Sequence, residues 1–222
     1  MTREELIKKV ALKMDEISSS DDVIVPVGTG DNNPLYTQIN SLLNESVNDV
    51  LMKAPLYRLQ NHACTLKVIK DYIDLDNQWW GVEIKGTRKI LVINVPEDFI
   101  RLASISDPSF DRPVVELAVE GDDIAKRQHN KHLMAKTAKP VAVISNDADG
   151  RKIRCYSYLS APESSFIYIK RYDNANDTTA ETDLDEYMVD IVSWACAGRV
   201  FAAQGDINKG KICDDNALAL MV

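Results

Sequence analysis

The sequence predicts an α+β protein: N- and C-terminal helices form a helical bundle, and an antiparallel β-rich domain is inserted between them. Three observations predict it. Apolar residues recur at helical spacing near both ends of the chain. Between the ends the apolar period shortens to that of strands. The charge divides the same way. Residues 1–62 carry 9 acids and 6 bases, 63–182 carry 18 and 17, and 183–222 carry 7 and 3, so seven of the eight net negative charges lie in the helical ends. The expected parts are a helical part over 1–62, a β-rich insertion with one helix over 63–172, and a C-terminal helix with a docking tail over 173–222.

The first helix is expected over 2–17, where Leu6, Ile7, Val10, Ala11, Met14 and Ile17 make one apolar stripe. Thr2 followed by Glu5 fits a capping box, in which each side chain satisfies an orphan backbone N–H. Residues 18–33 form a long connection whose apolar middle, 23–27, calls for a packing partner. A second helix is expected over 34–54. Asn33 stands at its N-cap and Pro34 at its first position, where a missing N–H does no harm. Pro55 ends it, because the residue before a proline leaves the α region.

Strands are expected at 63–69, 79–84, 87–94, 100–106 and 113–119, from their β-branched content. A helix is expected over 121–135. A hairpin over 140–145 and 151–158 turns at Asn146-Asp147-Ala148-Asp149-Gly150, and a last strand covers 165–172. The third strong helix, 184–204, has Asp183 and Glu186 as its capping pair and ends at Gly205. Residues 206–222 are polar and then apolar, and are expected to be a tail that docks on a surface.

Composition excludes several classes. The chain has 222 residues, 45% hydrophobic and 27% charged, ordinary values for a folded protein. Its longest apolar runs are far below the ~18 residues of a membrane span. Charges in the first helix exclude a signal peptide there. Cys64, Cys155, Cys196 and Cys213 are far apart with no CxxC pair, so free thiols in a reducing cytosol are expected. A pI near 4.9 disfavours broad duplex binding.

The candidates for chemistry are few. His129 and His132, three apart on the expected helix, would share a face and could hold a metal, but Lys126, Arg127 and Lys131 repel a cation, and a solvated polar helix is the reading. His62 stands alone. Asp122 and Asp123 suit the first turn of a helix. Asp147, Asp149 and Gly150 lack the closing Glu of a calcium loop and read as a turn. Gly28-Thr29-Gly30 lacks the Lys-Ser/Thr pair of a phosphate loop. Trp79-Trp80 would face opposite sides of a strand, one ring to the core and one to a partner. No catalytic, cofactor-binding or metal-ligating residue is assigned, and the chain is not read as an enzyme.

One stretch carries more. Ile93-Asn94-Val95-Pro96-Glu97-Asp98-Phe99-Ile100-Arg101-Leu102-Ala103-Ser104 resembles an L-P-x-D-F-x-R-L-x-S segment of tailed-bacteriophage virion proteins, with Val95 in place of the usual Leu. Asp111-Arg112-Pro113-Val114, Gln128-His129-Asn130-Lys131 and Lys139-Pro140-Val141 follow in the same order as in head–tail connector, or ring, proteins. The chain is most similar to the ring proteins of crAss-like podoviruses, and its helical frame also suits adaptor proteins. The resemblance implies a structural role in the virion neck or tail, assembled in the host cytoplasm: a homo-oligomeric ring, a dodecamer, between the portal protein and other tail ring proteins. It implies that genomic DNA passes through without sequence-specific binding and that no membrane, cofactor or catalytic residue is involved. In such a ring, 23–27 and 217–222 suit docking between subunits, and acids lining the channel would repel DNA phosphates. The corner at Pro96 would be architectural, with Asp98 capping the turn and Phe99 anchored in the core. Other readings stay open. They are another tail ring, a tail-tube or stopper component, a small metal-dependent hydrolase using His129, His132 or the acidic loops, and an intracellular binding module.

Overall fold

A computed structural model of the chain describes residues 1–17, 34–69, 80–85, 88–130, 132–158, 163–173, 182 and 184–222. The connection 18–33, with Gly28-Thr29-Gly30 and Asn33, lies outside these residues, as do Trp79, Gly86, Lys131 and Asp183. Among these residues, five helices and two sheets divide between two compact units: a helical unit of Met1–His62 with Arg171–Val222, and a β unit of Ala63–Lys170.

In the helical unit, α1 (Arg3–Ile17) opens on the expected capping box. Thr2 Oγ1 accepts from the Glu5 N–H at 3.2 Å, and Glu5 Oε2 accepts from the Thr2 N–H at 2.9 Å. The α1 stripe Leu6, Ile7, Val10, Ala11 and Met14 is buried, and so is Arg3. Helix α2 (Pro34–Lys53) buries Tyr36, Ile39, Leu43, Val47, Val50 and Leu51 on one face. Two 3₁₀ turns, Leu56–Arg58 and Gln60–His62, follow it. Thr182 donates its backbone N–H to the Met1 carbonyl at 2.7 Å, so segments from the two ends of the chain meet in one unit.

Helix α4 (Glu186–Ala203) is the common partner of the unit, packing on α1, α2 and α5. Its N-cap is Asp185, which accepts from the Met188 N–H at 2.7 Å, in place of the expected Asp183. The tail expected over 206–222 is instead a helix, α5 (Ile207–Met221). Gly205 (φ 90°) takes the left-handed position after α4, the Asp206 N–H donates to Phe201 O, and Asp206 Oδ1 then caps α5 by accepting from Lys209. The buried face of α5 is Gly210, Cys213, Ala217 and Met221. A Cβ on Gly210 would lie 3.0 Å from the Gly198 carbonyl oxygen of α4, so the two backbones cross in near contact.

The β unit holds a three-stranded sheet, order β1-β8-β4, and a five-stranded sheet, order β2-β3-β7-β6-β5. The strands are β1 (Ala63–Ile69), β2 (Trp80–Lys85), β3 (Arg88–Asn94), β4 (Phe99–Ser106), β5 (Leu117–Val119), β6 (Val141–Asp147), β7 (Gly150–Tyr158) and β8 (Glu163–Lys170). One core joins the two sheets. Leu91, Ile93, Ala142, Ile153 and Cys155 come from one, and Phe99, Leu102, Ile105, Phe166 and Tyr168 from the other. Trp80 packs against this core. All four thiols are free; Cys155, Cys196 and Cys213 are buried, and burial pushes the last two up to about 11.

Three expectations need correction here. The strand at 113–119 shrinks to Leu117–Val119, with Val114 making only an isolated bridge to Ile105. The helix expected over 121–135 is only α3 (Asp123–Arg127). Side chains displace the helical ladder after it: Gln128 Oε1 accepts from the Ala135 N–H and Asn130 Oδ1 from the His132 N–H, both at 2.9 Å. The sheet is also not wholly antiparallel, since β5 pairs parallel with β6. A parallel pair needs a crossover, and the α3 connection supplies it.

Candidate functional site

His129 and His132 do not share a helix face. Both lie on the turns after α3, exposed to solvent. Among the described residues no three His, Cys, Asp or Glu side chains converge as a cation cage would require. Asp122 Oδ2 accepts from the Val119 N–H at 3.0 Å and so closes the turn before α3. Asp147 and Gly150 close the β6–β7 hairpin as a directly opposed pair around Ala148 and Asp149, tighter than the expected five-residue turn.

Asp147 belongs to an ion cluster spread over three strands. Arg154 on β7 bonds Asp147 Oδ2 at 2.6 Å, Ser145 Oγ at 2.5 Å and Glu83 Oε1 at 3.2 Å. Arg154 stands opposite Val92 in the β3–β7 ladder, so its guanidinium reaches across β3 to meet Glu83 on β2. Lys152 adds a contact to Asp147 at 3.7 Å and to Asp149 at 3.3 Å. The hydrogen bonds and charge of Arg154 hold the Asp147 carboxyl below the usual carboxylate range, and its two acids push the guanidinium up. Each acid here is engaged by a donor, which suits a brace across strands.

Arg154→Met is expected to lower stability by about 1–2 kcal/mol, because two partly solvated acids lose their common partner. The Asp147 contribution is present above the ordinary carboxylate value near pH 4 and is lost as pH falls through the depressed folded value. The variant should therefore show a shallower acid arm than the wild type when thermal melts are followed from pH 7 to pH 2.

Two further carboxylates tie the β unit together. Asp107 accepts from the Ser109 N–H at 2.8 Å and from Ser164 Oγ at 2.5 Å, linking the end of β4 to β8. Asp98 lies in the segment that resembles connector proteins. It accepts from the Tyr168 hydroxyl at 3.0 Å, reaching across to β8 where a turn cap was expected. Burial first, and then Asp98, push the Tyr168 phenol up. Phe99 is anchored in the core as expected, with its ring 6.1 Å from Phe166 and 5.8 Å from Tyr168. The Phe99 N–H closes the corner onto Pro96 O at 3.1 Å.

The remaining candidates are surfaces. On the connection between β5 and β6, Gln128 is buried. It donates to Ile124 O at 2.8 Å while accepting from Ala135, so it pins the turns from inside. Lys126, Arg127, Lys136 and Lys139 are exposed around it, as are Ile124 at 49% and Leu133 at 59%. The second surface is the face of α5 turned away from α4, where Asp215 lies between Ile212, 47% exposed, and Leu218, 51% exposed. Sequence reasoning took the first as solvated charge. It missed the second as a helix face, although the i, i+3 spacing of Ile212, Asp215 and Leu218 could have revealed it.

No protein-family model matches the chain, and no curated protein matches it.

Proposed function

We propose that this chain is a structural subunit of the head–tail connector of a tailed bacteriophage, forming a ring in the virion neck that extends the DNA channel and joins the portal to the tail. The observation that carries the reading is the segment 93–104, whose resemblance to connector proteins falls on residues with architectural work. Phe99 and Leu102 are core residues, and Asp98 ties the corner to β8. A ring also requires subunit surfaces with apolar positions left uncovered by the subunit itself. The outward face of α5 is one such surface. Among the described residues no helix is long and apolar enough to cross a membrane. The helical unit holds 19 acids and 10 bases, and an acidic wall toward a channel would keep DNA phosphates from adhering.

The test is high-resolution electron microscopy of the particle that carries this protein. The expected density is a closed ring of copies around an axial channel, adjoining the portal. Absence of the chain from the particle would refute the reading.

A further inference from the structure

We infer that one end of the five-stranded sheet binds the phosphate backbone of duplex DNA, without preference for sequence. The choice of DNA as the polyanion rests on the connector reading, which puts the genome beside this chain; the sorting of charge that builds the site does not.

The β unit is nearly neutral, with 15 acids and 16 bases, but its charge is sorted by position. Strands β2 and β7 run one way, and β3, β5 and β6 the other. One end of the sheet therefore gathers the β2–β3 turn (85–89), the approach to β5 (111–116) and the approach to β6 (136–140). The Asp111 N–H donates to Thr137 O at 3.1 Å and joins the two approaches. These segments hold Lys85, Arg88, Lys89, Arg112, Lys136 and Lys139 against Asp111 and Glu116. Lys85 and Arg88 are the closing register pair of β2 and β3. Lys89, Arg112, Lys136 and Lys139 are exposed and make no ion pair among the described residues. The opposite end has the reverse balance: the corner 95–98, the exit from β5 (120–123) and the β6–β7 hairpin (147–152) carry seven acids and two bases. From the other sheet, the cationic end adjoins Glu163, which opens β8, and Asp107, which is buried and bonded to Ser109 and Ser164. Asp71, Asp74 and Asp76 lie outside the described residues.

The spread of the cations selects the ligand. Five strands about 4.8 Å apart distribute them over roughly 19 Å. They do not converge on one point, as a site for a single phosphate would require. Duplex DNA presents a charge every ~1.7 Å of its axis, so a row of this length lies along many phosphates at once. The nearest large exposed apolar residues in the chain are Ile84, Val115 and Leu133, one beside each segment. Ile84 is on β2 and Val115 leads into β5, at opposite edges of the sheet, so the apolar centre that anchors a protein partner is missing between them. Lysines and arginines on phosphates carry no sequence information, and contact of this kind positions DNA without reading it. The net charge of −8 repels DNA from the chain as a whole, which confines adhesion to this end.

The experiment is fluorescence anisotropy of a labelled 30-base-pair duplex titrated with the full chain in 50 mM and 200 mM salt. The variants are K89Q/R112Q and K136Q/K139Q, with K126Q/R151Q as a control that removes the same charge away from this end. Saturable binding is expected at 50 mM salt. With four phosphate contacts the affinity should fall about 150-fold between the two salt concentrations. Each test pair should weaken binding at least tenfold at 50 mM salt and lower the salt slope by about 1.8, the share of two phosphate contacts. The control should stay within threefold of the wild type, and two duplexes of unrelated sequence should bind within threefold of each other. All six substituted residues are exposed, so circular dichroism should be the same for every variant. Absence of binding at 50 mM salt overturns the inference, as does a control that loses as much affinity as the test pairs. Polyglutamate displacing the duplex at equal charge concentration overturns the choice of DNA and makes this end a surface for acidic proteins. A ring of this chain in the particle, with no duplex binding in solution, overturns this inference and leaves the connector reading intact. Duplex binding that the test pairs abolish, by a chain absent from the particle, does the reverse.

Discussion

Replacing Arg3 with alanine is expected to destabilise the helical unit by about 3–4 kcal/mol, through a large cavity and hydrogen-bond acceptors left without a donor. Arg3 is 0% exposed. Its Nε donates to Asn40 Oδ1 at 2.7 Å, Nη1 to Asn44 Oδ1 at 2.6 Å and Nη2 to the Asn40 carbonyl at 2.9 Å. Asn40 and Asn44 are four apart on α2, so the guanidinium fork fits two amides on one helix face and fastens the first turn of α1 to it. A cation in the first turn of a helix opposes the helix dipole. Its placement there is therefore explained by the tertiary contact. Arg3→Lys keeps the charge but loses the planar fork, and should recover only part of the loss. Urea unfolding followed by circular dichroism at 222 nm measures both. An alanine variant within 1 kcal/mol of the wild type would show that the fork contributes little.

The second large effect is expected at the α4–α5 crossing. Gly210→Val should cost about 3 kcal/mol, because the Gly198 carbonyl oxygen 3.0 Å from the new Cβ is backbone and cannot swing aside. The helices must separate, and Cys213, Ala217 and Met221 then lose contact with α4. Gly210→Ala makes the argument sharper. In an exposed helix that change stabilises by about 1 kcal/mol, since alanine is the better helix former. Here it is expected to destabilise, and a melt at or above the wild-type temperature would refute the close crossing. Gly198→Ala should behave the same way, as its Cβ would lie 2.6 Å from Asp214 Oδ1 and 3.1 Å from Gly210 O.

These two sites also show where sequence reading stopped. Helices α1, α2 and α4 were legible because large apolar residues recur on one face. Helix α5 was not, since its buried face is mostly small and includes Gly210, a residue that reads as a helix breaker. Apart from Met221, its large apolar residues, Ile212 and Leu218 among them, point outward. The opposite error occurred at 121–135, where polar composition suited a helix but Gln128 and Asn130 offered the backbone other partners. Arg3 counted only as one of the charges of the first helix that exclude a signal peptide. The signal that it is buried lies elsewhere in the sequence, in the two asparagines four apart on α2. Of the surfaces, the cationic connection was visible as a run of charge. Its rigidity was not, because that depends on one buried glutamine.

The division of the helical unit between the two ends of the chain governs its biosynthesis. Helices α1 and α2 leave the ribosome well before their main partner, α4, has been translated. At about 5–20 residues per second the wait is roughly 7–30 s, longer than most domains need to fold. The β unit is continuous in sequence and is complete at Lys170. It can therefore close first, while the apolar stripes of α1 and α2 remain uncovered or are held by chaperones. The bundle then forms late, after the insertion has folded, and its α1–α4 and α2–α4 contacts join segments far apart in the chain.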